Sequence, residues 1–85
     1  MAPRKNSQTT RGRNILGGRI RALRLRLKPS VSQADLAARA TLNGVPMDRP
    51  TVSRIESGKK FLRDFEIIAI ASALRVSVAV LFESR

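Results

Sequence analysis

Apolar positions recur along most of this chain at the three-to-four-residue spacing of a helix, separated by short polar or Pro- and Gly-bearing breaks. Leu16, Ile20, Leu23 and Leu27 form one such stripe and predict a helix over 15–27 with Asn14 as its N-cap. Arg24 to Lys28 alternate with period two, as a strand would, but the longer stripe and the good helix formers favour a helix and leave Leu25 partly exposed. Pro29 ends it. Ser32-Gln33-Ala34-Asp35 is a capped start, with Asp35 in place of the Glu of a capping box. The second helix runs to about Ala40, with Leu36, Ala37 and Ala40 turned inward. Thr41 to Met47 contains Asn43-Gly44 and Val45-Pro46, two turn signals. Asp48 then caps a third helix over 49–57, whose first turn tolerates Pro50 because that nitrogen has no partner inside the helix. Gly58 stands where a left-handed residue closes a helix. Asp64 caps a fourth helix carrying Ile67, Ile70, Ala71 and Leu74. Ser77 caps a short fifth over 78–82, although Val76 to Val80 alone would score as a strand.

Residues 1–13 contain no large apolar side chain after Met1 and predict a disordered basic arm, since they bury too little to offset backbone entropy. Residues 14–85 then make one all-α domain in which five short helices share a core. No apolar run approaches the ~20 residues of a membrane span, and no signal-peptide core is present. The expectation is a cytoplasmic protein with no membrane partner.

Charge narrows the partner. Lys and Arg number 17 against 6 Asp and Glu, a formal net charge of +11. Arg4, Lys5, Arg11, Arg13, Arg19, Arg21, Arg24, Arg26 and Lys28 all precede the first acidic residue, Asp35. Such an excess suits a polyanion, nucleic acid ahead of anionic membrane. The chain has neither Cys nor His, which removes disulfides, thiolate and imidazole metal ligands and the usual nucleophile–base pairs. Its acids show no paired-carboxylate spacing. No enzymatic activity, metal or cofactor is expected.

The third helix holds the candidate chemistry. At about 100° per residue, Val52 and Ile55 face the core, while Arg49, Pro50, Ser53 and Arg54 spread over the opposite ~140°. Arg can chelate guanine through O6 and N7, Ser can donate or accept, and a Pro ring can touch a thymine methyl, so this face suits the major groove. A solvated helix face would carry the same residues; the surroundings separate the two. Ser32-Gln33 opens the preceding helix, where terminal amides and the Gln33 side chain can grip a phosphate. Gly58-Lys59-Lys60 follows the third helix, Arg63 lies just beyond, and the arm brings Arg11 and Arg13 as further phosphate ligands.

From Arg19 to Phe82 the chain resembles the helix-turn-helix domain of the lambdoid phage repressor and Cro family, the XRE type. The resemblance rests on RIRALR, SQADLAARA, TVSRIESGKK and IAIASALRVSVAVLF, and Val52 to Lys59 is its most diagnostic run. It implies a compact five-helix, lambda-repressor-like fold. It also implies phosphate contacts by Gln33, Lys59 and Lys60, base contacts by Arg49, Pro50, Ser53 and Arg54, and a structural pair between Arg24 and Glu56. The function implied is sequence-specific binding of double-stranded DNA by a transcriptional repressor, as a homodimer on a near-palindromic site. The apolar segment around Val78, Leu81 and Phe82 would join the copies, or else close the core of one chain. In three places the chain departs from the family. The turn over 41–47 and the link around Lys28 to Ser30 are longer than usual, and Arg75 stands where Gly is usual. Two other functions stay open: an antitoxin-type module with a toxin partner and autoregulatory DNA binding, and a nonspecific polyanion binder driven by the arm and the Arg-rich first helix.

Overall fold

Short helices depend on their ends, and here single side chains set most of them. A computed structural model describes residues 12–83, which form five α-helices and no strand among the described residues. These are α1 (Gly17–Arg26), α2 (Gln33–Leu42), α3 (Arg49–Glu56), α4 (Asp64–Leu74) and α5 (Val78–Leu81). Ser32 accepts from the Asp35 N–H at 3.0 Å and Asp35 returns the bond to the Ser32 N–H at 3.1 Å, the capping box expected before α2. Asp48 accepts from the Thr51 N–H and hydroxyl before α3, and Ser77 from the Val80 N–H before α5. Both aspartates are held below the usual carboxylate range, Asp35 chiefly by the Ser32 N–H and Asp48 chiefly by the Thr51 hydroxyl.

The structure also revises several expectations. α1 begins at Gly17, two residues late, because Asn14 Oδ1 accepts from the N–H groups of both Leu16 and Gly17 and holds Ile15 outside the helix. α2 continues to Leu42, so Thr41 lies inside it; the Thr41 hydroxyl donates to the Ala37 carbonyl and accepts the Met47 N–H, which folds the turn back on the helix. α4 starts after Arg63, with Asp64 as its first residue: Glu66 accepts the Arg63 N–H at 2.8 Å, while Asp64 accepts the Phe65 N–H at 2.7 Å from inside the helix. Leu81 is 1% exposed and belongs to the core, leaving only Val78 and Phe82 of the expected dimer segment at the surface.

The apolar stripes meet as the spacing predicts. Ile20 and Leu23, Leu36 and Ala37, Val52 and Ile55, Ile70 and Leu74, and Leu81 fill one core to which every helix contributes, with Val31 from the α1–α2 link. α2 packs on both α3 and α4, α1 on α3 and α4, and α5 on α4. Ala37, Ala40, Ala71 and Ala73 are buried, and their small size lets the helices approach. α4 ends with Arg75 in the left-handed region at φ 62°, where Gly is the usual occupant, and the Val76 N–H reaches back to the Ala71 carbonyl. Arg39 of α2 donates to the Ala73 carbonyl at 3.1 Å, satisfying the same helix end. Among the described residues no helix is long and apolar enough to cross a membrane.

Candidate nucleic-acid interface

α3 owes its orientation to a division of its sides. Val52 and Ile55 are each 1% exposed and bolt it to the core, while Arg49, Pro50 and Arg54 are exposed and Ser53 half-buried. The expected base-reading residues therefore share the outward side of one short helix.

Its α2-facing flank is closed by a buried hydrogen-bond network. Arg24 donates through Nε to Glu56 Oε2 at 2.6 Å, through Nη2 to Glu56 Oε1 at 2.9 Å, and through Nη1 to the Val31 carbonyl at 2.9 Å. This is the pair that the sequence resemblance implied, and it spans α1 and the last residue of α3. The Glu56 hydrogen bond, offset in part by burial, raises the Arg24 pKa further, so the guanidinium stays charged at any usable pH. Gln33 then donates through Nε2 to Glu56 Oε1 at 3.0 Å and accepts from Arg49 Nη1 at 3.2 Å. Its side chain thereby connects the buried pair to the first residue of α3.

The opposite flank is joined to the approach of the arm. The Arg13 N–H donates to the Gly58 carbonyl at 2.7 Å, and its guanidinium lies 5.2 Å from the Phe61 ring centre. Asn14 Nδ2 donates to the carbonyls of Ile55 at 3.1 Å and Lys60 at 2.8 Å, so one side chain caps the start of α1 and the end of α3 together. Gly58 has φ 78°, the left-handed conformation expected there. Gly17 is buried against the end of α3: a Cβ there would fall on the Ile55 carbonyl oxygen and within 2.7 Å of that of Glu56.

The phosphate candidates divide accordingly. Arg13, Arg54 and Lys59 line one open cleft of about 660 Å³ that also borders Gly18 of α1, and a second of about 400 Å³ that borders Arg63. Lys60 is half-buried, its Nζ 3.0 Å from Glu66 Oε2, a bond between a loop and a helix that sequence spacing did not suggest. Burial opposes ionisation of Glu66, but the Arg63 N–H and the Lys60 ammonium outweigh it and hold the carboxyl below its usual range. Arg11 lies outside the described residues. Sequence reading missed Asn14 as a bridge and Gly17 as a contact point; the Gly17-Gly18 pair inside a predicted helix was the available signal.

Residues 15–82 match a family model described as a helix-turn-helix domain. No curated protein and no solved structure matches the chain.

Proposed function

The chain belongs to the helix-turn-helix domain family, a DNA-binding fold of the kind found in transcription regulators, and from that premise we propose that it is a sequence-specific regulator of the lambdoid repressor and Cro type. The observation that carries this reading is the outward side of α3, where Arg49, Pro50, Ser53 and Arg54 stand opposite an apolar back fixed in the core. α3 enters the major groove, with Arg49 addressing a base edge and Pro50 and Ser53 beside it. α2 meets the sugar–phosphate backbone through its first-turn amides at Gln33, and Lys59, Arg63, Arg13 and Arg11 meet it on the other side. Lys60 contributes from behind its bond to Glu66.

Two copies bind a near-palindromic duplex with half-sites about one turn, ~34 Å, apart. Val78 and Phe82, 37% and 52% exposed, supply apolar surface between them. By occupying its site, the chain acts as a repressor. Selection of bound sequences from random duplex DNA tests this: a conserved half-site repeated at one-turn spacing is expected. Recovery of unrelated sequences at equal affinity would leave only a nonspecific polyanion binder, and a lone half-site would remove the dimer.

A further inference from the structure

Arg49 and Arg54 share the outward side of α3, yet their surroundings differ in kind. They lie about 140° apart around the helix axis at 100° per residue, so each occupies one edge of that side. Arg49 is in the first turn and bonded to Gln33. Arg54 is in the last turn, exposed, and its side chain has no hydrogen bond or ion pair with any described residue. The same holds for the Lys59 ammonium. Both clefts beside α3 are walled by Arg54, Lys59 and Arg13, and each holds a single acid. Those acids are spent: Glu56 on Arg24 and Gln33, Glu66 on Lys60 and the Arg63 N–H. What remains is a concentration of positive charge around open space at the place where the Arg13 backbone bonds to Gly58.

Resting on the DNA-binding reading above, we propose that Arg54 is not a base reader but the centre of a phosphate clamp, which it forms with Arg13 and Lys59 and which grips the DNA backbone along the arm-facing edge of the groove. Phosphate is the ligand chemistry this cluster fits, because three cations line the same clefts with no carboxylate free to neutralise them. Base reading then falls to Arg49, Pro50 and Ser53 in the first turns of α3.

Full-length wild type, Arg54→Ala and Arg54→Lys are titrated with a selected duplex and a scrambled duplex over a range of salt, after circular dichroism has shown equal helicity. Arg54→Ala is expected to weaken both duplexes by the same factor, about tenfold. It should lower the log–log salt slope by about 0.9 and leave the base-preference profile unchanged. Arg54→Lys should recover most of the loss, since a phosphate accepts a point charge whereas bidentate guanine recognition does not. Relaxed preference at one base pair in Arg54→Ala, or unchanged affinity on both duplexes, would overturn the clamp. A wild type without any base preference would refute sequence-specific recognition instead; an equal loss in Arg54→Ala on those duplexes would still support the clamp.

Discussion

The two flanks of α3 are built from the same residue types to opposite ends. On the α2 side, Arg24, Gln33, Arg49 and Glu56 are linked by hydrogen bonds of 2.6 to 3.2 Å, and the acid is shared by two donors. On the arm side, Arg13, Arg54 and Lys59 gather around open clefts whose acids are engaged elsewhere. The difference teaches that a cation's role is set by whether a carboxylate has already claimed it. Arg24, claimed by Glu56, fixes where the helix sits; Arg13, Arg54 and Lys59, which no carboxylate claims, are left to meet an anion. Net charge does not distinguish them.

Breaking the bonded flank has the largest expected effect. Glu56→Ala leaves the Arg24 guanidinium, 8% exposed, without its partner and is expected to destabilise the fold by about 3–5 kcal/mol in urea unfolding. Removing Arg54 should change unfolding by less than about 0.5 kcal/mol, as expected for an exposed site without partners. Equal stability of the Glu56→Ala chain would mean that the network orders nothing.

The adjoining glycines give the next contrast. Gly17→Ala forces a methyl onto the carbonyls at the end of α3 and should cost about 1–3 kcal/mol, despite the better helix propensity of Ala. Gly18→Ala places its methyl in open space and should stabilise by about 0.5 kcal/mol. Thermal unfolding of the two variants checks the opposite signs, and a common sign would remove the close approach of α1 to α3.

Acid titration has a smaller effect. Asp35, Asp48 and Glu66 are depressed in the folded chain by the bonds described above, so the unfolded chain takes up their protons first as pH falls. Their contribution is complete above the unfolded values, 3.8 for the two aspartates and 4.5 for Glu66, and is lost as the pH drops through the folded ones. With no His in the chain, the melting temperature should be level between about pH 5 and 8 and decline below about pH 4. A fall centred near neutrality would contradict this.

Much of this was legible in the sequence because it is local. Ser32, Asp48 and Ser77 cap helices within a turn of themselves, Val52 and Ile55 follow the helical period, and Gly58 sits two residues past the end of α3. The Arg24–Glu56 pair crosses 32 residues and was found through the resemblance alone. Contacts without either support were missed. Asn14 was legible as a cap for α1, but its bonds to Ile55 and Lys60 span more than 40 residues. The opening position of Gln33 in α2 points to a phosphate, but only the assembled fold brings Glu56 and Arg49 to its two amide atoms. Lys60 likewise looked free until α4 carried Glu66 beside it. The ends of α1, α2 and α4 shifted because Asn14, Thr41 and Glu66 each offered a hydrogen bond that the apolar pattern does not encode.

Base preference resolved by position, for wild type and Arg49→Ala on duplexes recovered from a random library, decides whether α3 reads sequence. Recognition through the first turns of α3 predicts that Arg49→Ala loses about 1–3 kcal/mol of discrimination at one base pair per half-site and keeps the rest of the profile. An unchanged profile with uniformly weaker binding would contradict it, and α3 would then be a charged surface and not a reader.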